Sequence, residues 1–466
     1  MVLGNLIQIN ARGEQERLLY GNPQMTYFKK VYSSCSNFAR SYLNVPYSGT
    51  GAFGSKINIK LPHNGDLLSN IYISLELPLI DDQDIDSNTS KLYYCNGIGY
   101  KIIKNIQLKF NGKIIEELNG EMISHIYNYQ FNNYDKDTLD KIFYYSHKVN
   151  NFVNYTDPTR VDENAYTNLE RRGPISINIP IPFFFTKTFD VNLPICAMSN
   201  TEIEIIVEFE KLENLIFNGI PAGSTNSFNK LSIISETINL DNREKKLFVT
   251  NNLDYLIEIN TKISEELIDG NTTGTLTYDI NAKNATTMLY FSFLPTINEE
   301  LRNYFNYSIV YLNDYKLINS TLPNSELGLF RDVYAPNLYK SNNNNLINNI
   351  VIQVDNNKLY ENNALNFPFL ISNMPFTCNL NKVKYQLGIY NFNLDRTKYL
   401  SGSLNFSRLI KKTISFEIGS DFKTYLDNIS TSSAFYSEFK SIKFNCYSSY
   451  FNNLIIKDGL AGLKYN

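Results

Sequence analysis

Residues 106–115 read IQLKFNGKII, two apolar-alternating runs on either side of Asn111-Gly112. Asn-Gly supplies the two positive φ values that a type I′ turn needs, so the segment reads as a β-hairpin. The same period runs outward from it in both directions. Lys56 to Leu61 places Ile57, Ile59 and Leu61 on one face, and Ile71, Ile73, Leu75 and Leu77 alternate with Tyr72, Ser74 and Glu76. Ile175, Ile177, Ile179, Ile181 and Phe183 alternate with Ser176, Asn178, Pro180 and Pro182. Ile203, Ile205, Val207 and Phe209 alternate with Glu202, Glu204 and Glu208, apart from Ile206. Period two over so many runs puts one face on a core and the other in water. Pro180 and Pro182 cannot donate ladder hydrogen bonds, which places their strand at an edge or a bulge. Many short strands with turn-rich connections predict an all-β chain of antiparallel sandwiches.

The pattern repeats once along the chain. The hairpin at Asn111-Gly112 has a candidate counterpart at Asn313-Asp314, 202 residues on. The strand at Ile203 to Phe209 has one at Ile414 to Ile418, 211 residues on, and the strand around Ile233 has one around Ile442, 209 residues on. Offsets this similar predict two copies of one sandwich. The join falls near Leu240-Asp-Asn-Arg-Glu244, where Asp241 or Asn242 could cap a short helix running to about Thr250. The expected organisation is an arm over 1–28, a first sandwich over 29–243 and a second over 244–466. Long polar connections over 132–173, 320–349 and 356–382 would project as loops.

Composition agrees and narrows the function. The chain has 466 residues, enough for two domains of roughly 200 residues each. Its 34 Tyr and 30 Phe favour pleated, half-buried surfaces over helices. A net charge of −3 gives no basic field for nucleic acid, and the cluster Arg408, Lys411, Lys412 reads as a solvated strand edge. Cys35, Cys95, Cys196, Cys378 and Cys446 lie far apart without a CxxC pair, which fits a reducing compartment and neither a disulfide framework nor a zinc site. No stretch approaches the ~18 apolar residues of a membrane span.

The chemistry-bearing residues do not assemble into a motif. His63, His125 and His147 sit in unrelated settings, and no G-x-S-x-G elbow accompanies them. Gly97-Ile-Gly99 is only G-x-G. Asp82, Asp84 and Asp86 open like a calcium loop, but Ser87 stands where it needs Gly and Tyr93 where it needs Glu. Glu116-Glu117 and Glu299-Glu300 are adjacent pairs that point apart, unlike a glycosidase dyad. Eight sequons (Asn88, Asn154, Asn271, Asn284, Asn306, Asn319, Asn405, Asn428) are what an Asn-rich chain supplies by chance. No catalytic, cofactor-binding or metal residue is assigned, and no cofactor is expected.

The first forty residues read as neither a secretory leader nor an anchor, because Asn5, Gln8, Asn10, Arg12 and Glu14 interrupt any apolar run. They predict a polar arm with one helical piece, Gly13 to Tyr20, broken at Gly21-Asn22-Pro23 and followed by Tyr27, Phe28, Tyr32 and Phe38.

This arm resembles the N-terminus of the major capsid proteins of nucleocytoplasmic large DNA viruses, of the iridovirus, phycodnavirus and marseillevirus kind. Gly4, Leu6, Gln8, Leu19, Gly21-Asn22-Pro23-Gln24, Thr26, Phe28-Lys29 and Asn37-Phe38-Ala39 carry the likeness. It continues at Gly65-Asp66-Leu67-Leu68, at Leu77-Pro78, at Asn96 to Gly99, and at Asn119-Gly-Glu121-Met122. Further on it is carried by Ile179-Pro-Ile-Pro-Phe183-Phe184-Phe185, Leu193 to Ala197, Ser401 to Arg408, and Gly459 to Asn466. The family's "L-D-x-x-E-R" joint reads Leu240 to Glu244 with its last two residues exchanged. Departures are Phe184 for a Trp, the loss of an "N-H-P-x-K" element around Asn284 to Met288, and Tyr399-Leu400-Ser401-Gly402 in place of "Q-P-S-G".

The resemblance implies two tandem antiparallel eight-stranded jelly-roll sandwiches (a double jelly roll) with an extended N-terminal arm. It implies a virion subunit made in the host cytoplasm, a homotrimer forming pseudo-hexagonal capsomers of an icosahedral shell. Its partners would be neighbouring capsomers and, through the arm, minor capsid proteins and the inner viral membrane, with no direct nucleic-acid contact and no enzyme activity. The departures also fit a divergent paralogue or a transient membrane scaffold of the same fold. Jelly rolls host lectins too, but a carbohydrate site needs a convergent aromatic face with a metal or carboxylate pair, which the sequence does not show.

Overall fold

The computed structural model describes residues 3–29, 34–80, 93–130, 136–145, 174–217, 226–300, 302, 304–305, 307, 347–361, 370, 387–394, 401–419 and 441–465. They fall into two compact units, residues 1–38 and 39–466. The smaller unit holds two helices, Leu3–Asn10 and Glu14–Tyr20, where the sequence predicted only the second. The backbone N–H of Gly13 donates to the Glu16 carboxylate at 3.0 Å, tying down the start of the second helix. Helix Leu3–Asn10 escaped the sequence reading because it has no inward face to produce a periodic signal: Leu6, Ile7 and Ile9 are all exposed.

Among the described residues, sixteen principal strands follow the arm. The first eight are β1 (Phe38–Val45), β2 (Lys56–Lys60), β3 (Leu67–Leu77), β4 (Ile103–Phe110), β5 (Lys113–Leu118), β6 (Ile175–Pro180), β7 (Ile203–Phe209) and β8 (Lys230–Leu240). The next eight are β9 (Leu253–Asp269), β10 (Thr275–Asp279), β11 (Ala285–Pro295), β12 (Ile347–Val354), β13 (Asn357–Glu361), β14 (Gly388–Asn391), β15 (Lys412–Ile418) and β16 (Ser441–Lys457). One sheet runs β1-β8-β3-β6 and a second runs β2-β7-β4-β5, with the short strand Tyr47–Gly49 flanking β2. A third runs β9-β16-β11-β14 and a fourth β10-β15-β12-β13. Counted within each half, both pairs of sheets have the order first-eighth-third-sixth and second-seventh-fourth-fifth. This is jelly-roll winding, present twice, with antiparallel ladders.

The alternation read from sequence is what fills the two interiors. Ile57, Ile59, Ile71, Ile73, Leu75, Ile177, Ile179, Ile205 and Val207 point into the first core. In the second, Phe293 packs edge-on to Phe416 at 4.9 Å and stacks on Phe444 at 5.0 Å. β6 lies at a sheet edge, as its prolines require, with Pro180 opposite Tyr72. The helix at the join is Asn242–Thr250 with Asp241 at its N-cap, although the Asp241 side chain makes no capping bond. An ion pair from Lys245 to Asp66, 2.7 Å long, holds the helix to the first half.

The hairpin is as predicted: Asn111 has φ 48°, Gly112 has φ 78°, and Phe110 faces Lys113. A Cβ on Gly112 would meet nothing within 4 Å. Gly112→Val should therefore cost only the left-handed backbone penalty, about 1–2 kcal/mol, read by denaturant unfolding. Unchanged stability would contradict the turn assignment. The candidate counterpart at Asn313-Asp314 lies outside the described residues. Strand order matches β4–β5 to β12–β13, whose turn is Asp355-Asn356, with φ 45° and 68° and Val354 opposite Asn357.

Candidate functional site: the joint between the sandwiches

The two jelly rolls meet along one face of the β9-β16-β11-β14 sheet. β5 ends at Leu118, and Asn119 caps the next helix, Gly120–His125, by accepting the Met122 N–H at 2.7 Å. The helix continues as a wider turn over Ile126–Gln130. Gly120 allows it to lie against the short helix Ile98–Lys101 and the start of β4: a Cβ there would sit 2.1 Å from the Tyr100 carbonyl oxygen and 2.9 Å from that of Ile103.

From the next residue, the Glu121 carboxylate reaches into the second sandwich. It accepts hydrogen bonds from Ser292 Oγ (2.6 Å), Tyr447 OH (2.6 Å), Asn445 Nδ2 (2.9 Å) and Tyr307 OH (3.1 Å). His125 Nε2 lies 3.5 Å away, one helical turn along. The His125 ring meets Tyr447 edge-on with centroids 5.3 Å apart. Burial pushes the Glu121 carboxyl up, but His125, Ser292 and Tyr447 more than reverse this and hold it down at about 2. The Tyr307 and Tyr447 phenols are pushed well above their ordinary range by burial and by that same carboxylate. At the end of the turn Gln130 Nε2 reaches Tyr290 OH (2.7 Å), Asn260 Oδ1 (2.8 Å) and Ser449 Oγ (2.9 Å).

A second set of contacts closes the open edge of β9. An unpaired edge strand offers bare N–H and C=O groups and invites unwanted pairing. Here the first sandwich caps them with side chains. Glu116 Oε1 accepts the Asn260 N–H at 3.1 Å while its Oε2 accepts the Phe184 N–H at 2.8 Å. Lys187 Nζ donates to the Glu258 carbonyl at 3.1 Å and pairs with the Glu258 carboxylate at 3.3 Å. Burial pushes the Glu116 carboxyl up to about 7, against the Lys187 ammonium and the two N–H donors, which favour its charged form. Beside this seam a groove of about 630 Å³ opens between β5 and β9. A third seam seats the Asp458-Gly459 turn on the first sandwich: Asn200 N–H donates to Gly459 O (3.0 Å), and Ala461 N–H to Thr201 Oγ1 (2.9 Å).

These are the geometries of a fastener. Glu116 and Glu117 point apart, as read from sequence: Glu117 faces outward, accepting from Asn105 (2.6 Å) and Gln107 (2.8 Å). His63 lies 3.3 Å from the Ile195 carbonyl, away from the His125 cluster. Lys412, from the basic cluster, donates to the carbonyls of Phe406 (3.0 Å) and Ala282 (3.1 Å). Among the described residues, no three His, Cys, Asp or Glu side chains converge on a metal position. Asp82, Asp84, Asp86, His147, Cys378 and the sequons at Asn88, Asn154, Asn306, Asn319 and Asn428 lie outside the described residues. Sequence reading singled out His125 without its partners and missed the roles of Glu116, Glu121, Gln130, Lys187, Glu258 and Asn260 altogether. The available signal was the Gly120-Glu121-Met122 segment.

Comparison with known proteins gives a consistent family likeness. Residues 26–241 match the family model described as "Major capsid protein N-terminus". "Probable capsid protein 4" of Acanthamoeba polyphaga mimivirus is 28% identical over 214 residues, covering 45% of this chain and 38% of that protein. The "Major capsid protein" of Paramecium bursaria Chlorella virus 1 is 27% identical over 256 residues, covering 55% of this chain and 52% of that one. The chain thus spans about half the length of the curated relatives it matches. Among solved structures, the PBCV-1 virus capsid model superposes with a TM-score of 0.70 at 18% identity, over 95% of this chain and 100% of that one. The Faustovirus major capsid protein superposes with a TM-score of 0.64 at 11% identity, over 98% and 97%. At those identities the superpositions establish the fold, a double jelly roll.

Proposed function

We propose that the chain, whose residues 26–241 match the model described as "Major capsid protein N-terminus", is a major capsid protein of a large DNA virus and a structural subunit of a virion shell. The observation that carries this reading is the doubled strand order held together by a sealed joint. Two like sandwiches fixed side by side give three copies six similar sectors, so a threefold assembly can present a near-hexagonal outline and tile a closed surface. In this reading the subunit forms homotrimeric capsomers of an icosahedral shell, and its domains are an arm over 1–28 and jelly rolls over 29–243 and 244–466. In this reading its work is mechanical, without catalysis, and the buried carboxylates Glu116 and Glu121 serve as fasteners of the joint. A net charge of −3 supports a role without direct nucleic-acid contact.

The arm is the proposed link to neighbouring capsomers, to minor capsid proteins and to the inner viral membrane. Leu18, Tyr27 and Phe28 are exposed, Phe28 at 99%, which is costly unless another surface covers them on assembly. Deleting residues 1–28 should leave a folded trimer that no longer builds shells, as judged by light scattering and electron microscopy of assembly reactions. An unfolded truncated protein would contradict the assignment of this segment as an arm.

A further inference from the structure

We propose that the joint closes covalently, through an amide bond between Lys187 Nζ of the first sandwich and the Glu258 side chain of the second, formed by the chain itself with Glu116 as proton carrier. In water an amine and a carboxyl stay apart as solvated ions. Held together out of water, they gain both the proximity and the loss of solvation that condensation needs.

Lys187 Nζ lies 3.3 Å from Glu258 Oε2 and donates to the Glu258 main-chain carbonyl at 3.1 Å. Two contacts thus fix the amine beside the carboxyl it would attack. Both side chains are largely out of water, at 14% and 13% exposure, and burial disfavours the charged form of each. The backbones that carry them are clamped as well. Phe184, three residues before Lys187, and Asn260, two residues after Glu258 on β9, both donate their N–H to the Glu116 carboxyl.

The other oxygen of Glu258 sits where it can hold a proton. Thr287 Oγ1 is 2.8 Å from Glu258 Oε1 and 3.1 Å from the Ser449 carbonyl oxygen. A hydroxyl has one hydrogen, and a carbonyl can only accept. With that hydrogen on the Ser449 carbonyl, Oε1 completes the chain by carrying a proton and donating it to Thr287. Glu258 is then a neutral acid, the form that an amine attacks. Glu116 supplies the third part. It is 1% exposed and feels the Lys187 charge, and with its carboxyl pushed up to about 7 it can accept and return a proton near neutral pH.

The step begins as the Lys187 ammonium passes a proton to Glu258 Oε1, leaving a neutral amine beside a neutral acid. Nζ attacks Glu258 Cδ and the C–N bond forms. Glu116 takes a second proton from the nitrogen and delivers it to Oε1, which leaves as water when its C–O bond breaks. Oε2 stays as the amide oxygen. One ammonium and one carboxylate become one amide and one water, and Glu116 returns to its starting state.

The test is the intact mass of the purified 466-residue chain under denaturing conditions, after incubation at neutral pH. Expected is a mass one water below that of the sequence, and a branched peptide joining the segments around Lys187 and Glu258 after proteolysis. Lys187→Arg keeps a cation beside Glu258 and should fold, as judged by far-ultraviolet circular dichroism, with the full mass of its own sequence. Glu116→Gln should cross-link roughly a hundredfold more slowly, followed as the growth of the lighter species with time. A wild type at full mass, or a Lys187→Arg variant still one water light, would overturn the bond. A chain lighter by one ammonia would overturn it too, since that loss belongs to an asparagine or glutamine amide. Cross-linking of Glu116→Gln at the wild-type rate would remove Glu116 as the proton carrier. None of these masses depends on whether three chains assemble, so the capsomer reading stands or falls separately.

Discussion

Glu121→Ala is expected to destabilise the protein by about 3–5 kcal/mol, measured by denaturant unfolding at neutral pH. The substitution removes one carboxylate but strands Ser292, Tyr307, Asn445 and Tyr447, whose donors converge on it inside the joint. Buried donors without acceptors cost more than the hydrogen bonds themselves contributed. Glu121→Gln keeps the shape and one acceptor oxygen and should cost roughly half as much. The pH dependence separates charge from shape. A carboxyl held at about 2 in the folded chain, against an ordinary 4.5, contributes stability that is present above 4.5 and lost as pH falls towards 2. The wild type should lose about 3 kcal/mol over that interval on account of Glu121, and Glu121→Gln should not. Glu116 has the opposite sign. Its folded value of about 7 lies above 4.5, so its contribution is present below 4.5 and lost as pH rises through 7. Glu116 therefore adds a slope of opposite sign between 4.5 and 7, which Glu116→Gln should remove from the wild-type profile. A Glu121→Ala variant as stable as the wild type would show that the four donors find other partners, and the joint would have to be redrawn.

Gly120→Ala is expected to be as damaging, on the order of 4 kcal/mol, from a single methyl group. The atoms it would strike are backbone carbonyls at Tyr100 and Ile103, which cannot swing aside as a side chain can. Relief requires the helix to move away from the strand start, and Glu121 would move with it. The contrast is Gly462→Ala, where a Cβ meets nothing within 4 Å and the change should lie within about 0.5 kcal/mol of neutral. Equal effects at the two positions, by the same denaturant measurement, would mean that close approach at Gly120 does not set the helix position.

The parts of this fold that could be read in advance are those with one wet face. β2, β3, β6 and β7 alternate cleanly because every second side chain meets solvent, and their buried positions follow that alternation. β11 could not be read that way. Ala285 to Pro295 is buried on both faces, between its own sandwich and the first, and its sequence ATTMLYFSFLP carries no period of two. β9 and β11 also contain register shifts, at Lys262/Ser264 and Thr286/Met288, and each shift moves the alternation to the other face. The joint was hidden for a different reason. Glu121 meets Ser292 and Tyr447 from 171 and 326 residues away, and no local pattern marks a carboxylate whose partners arrive from so far along the chain. The turn at Asp355-Asn356 has the residues and the positive φ values of a hairpin, but its spacing from Asn111-Gly112 is not the one the repeat predicted, so the sequence reading passed over it. The helix at the join was legible because it announces itself locally, in Asp241-Asn242 followed by a charged turn.

The central claim is that two jelly rolls fixed in one chain become six sectors in a threefold particle. The most direct test is the mass of the purified 466-residue chain by light scattering, followed by negative-stain images of the same peak. The account predicts a particle of three times 53.7 kDa with a hexagonal outline. A monodisperse monomer, or a trimer with three well-separated lobes, would contradict it.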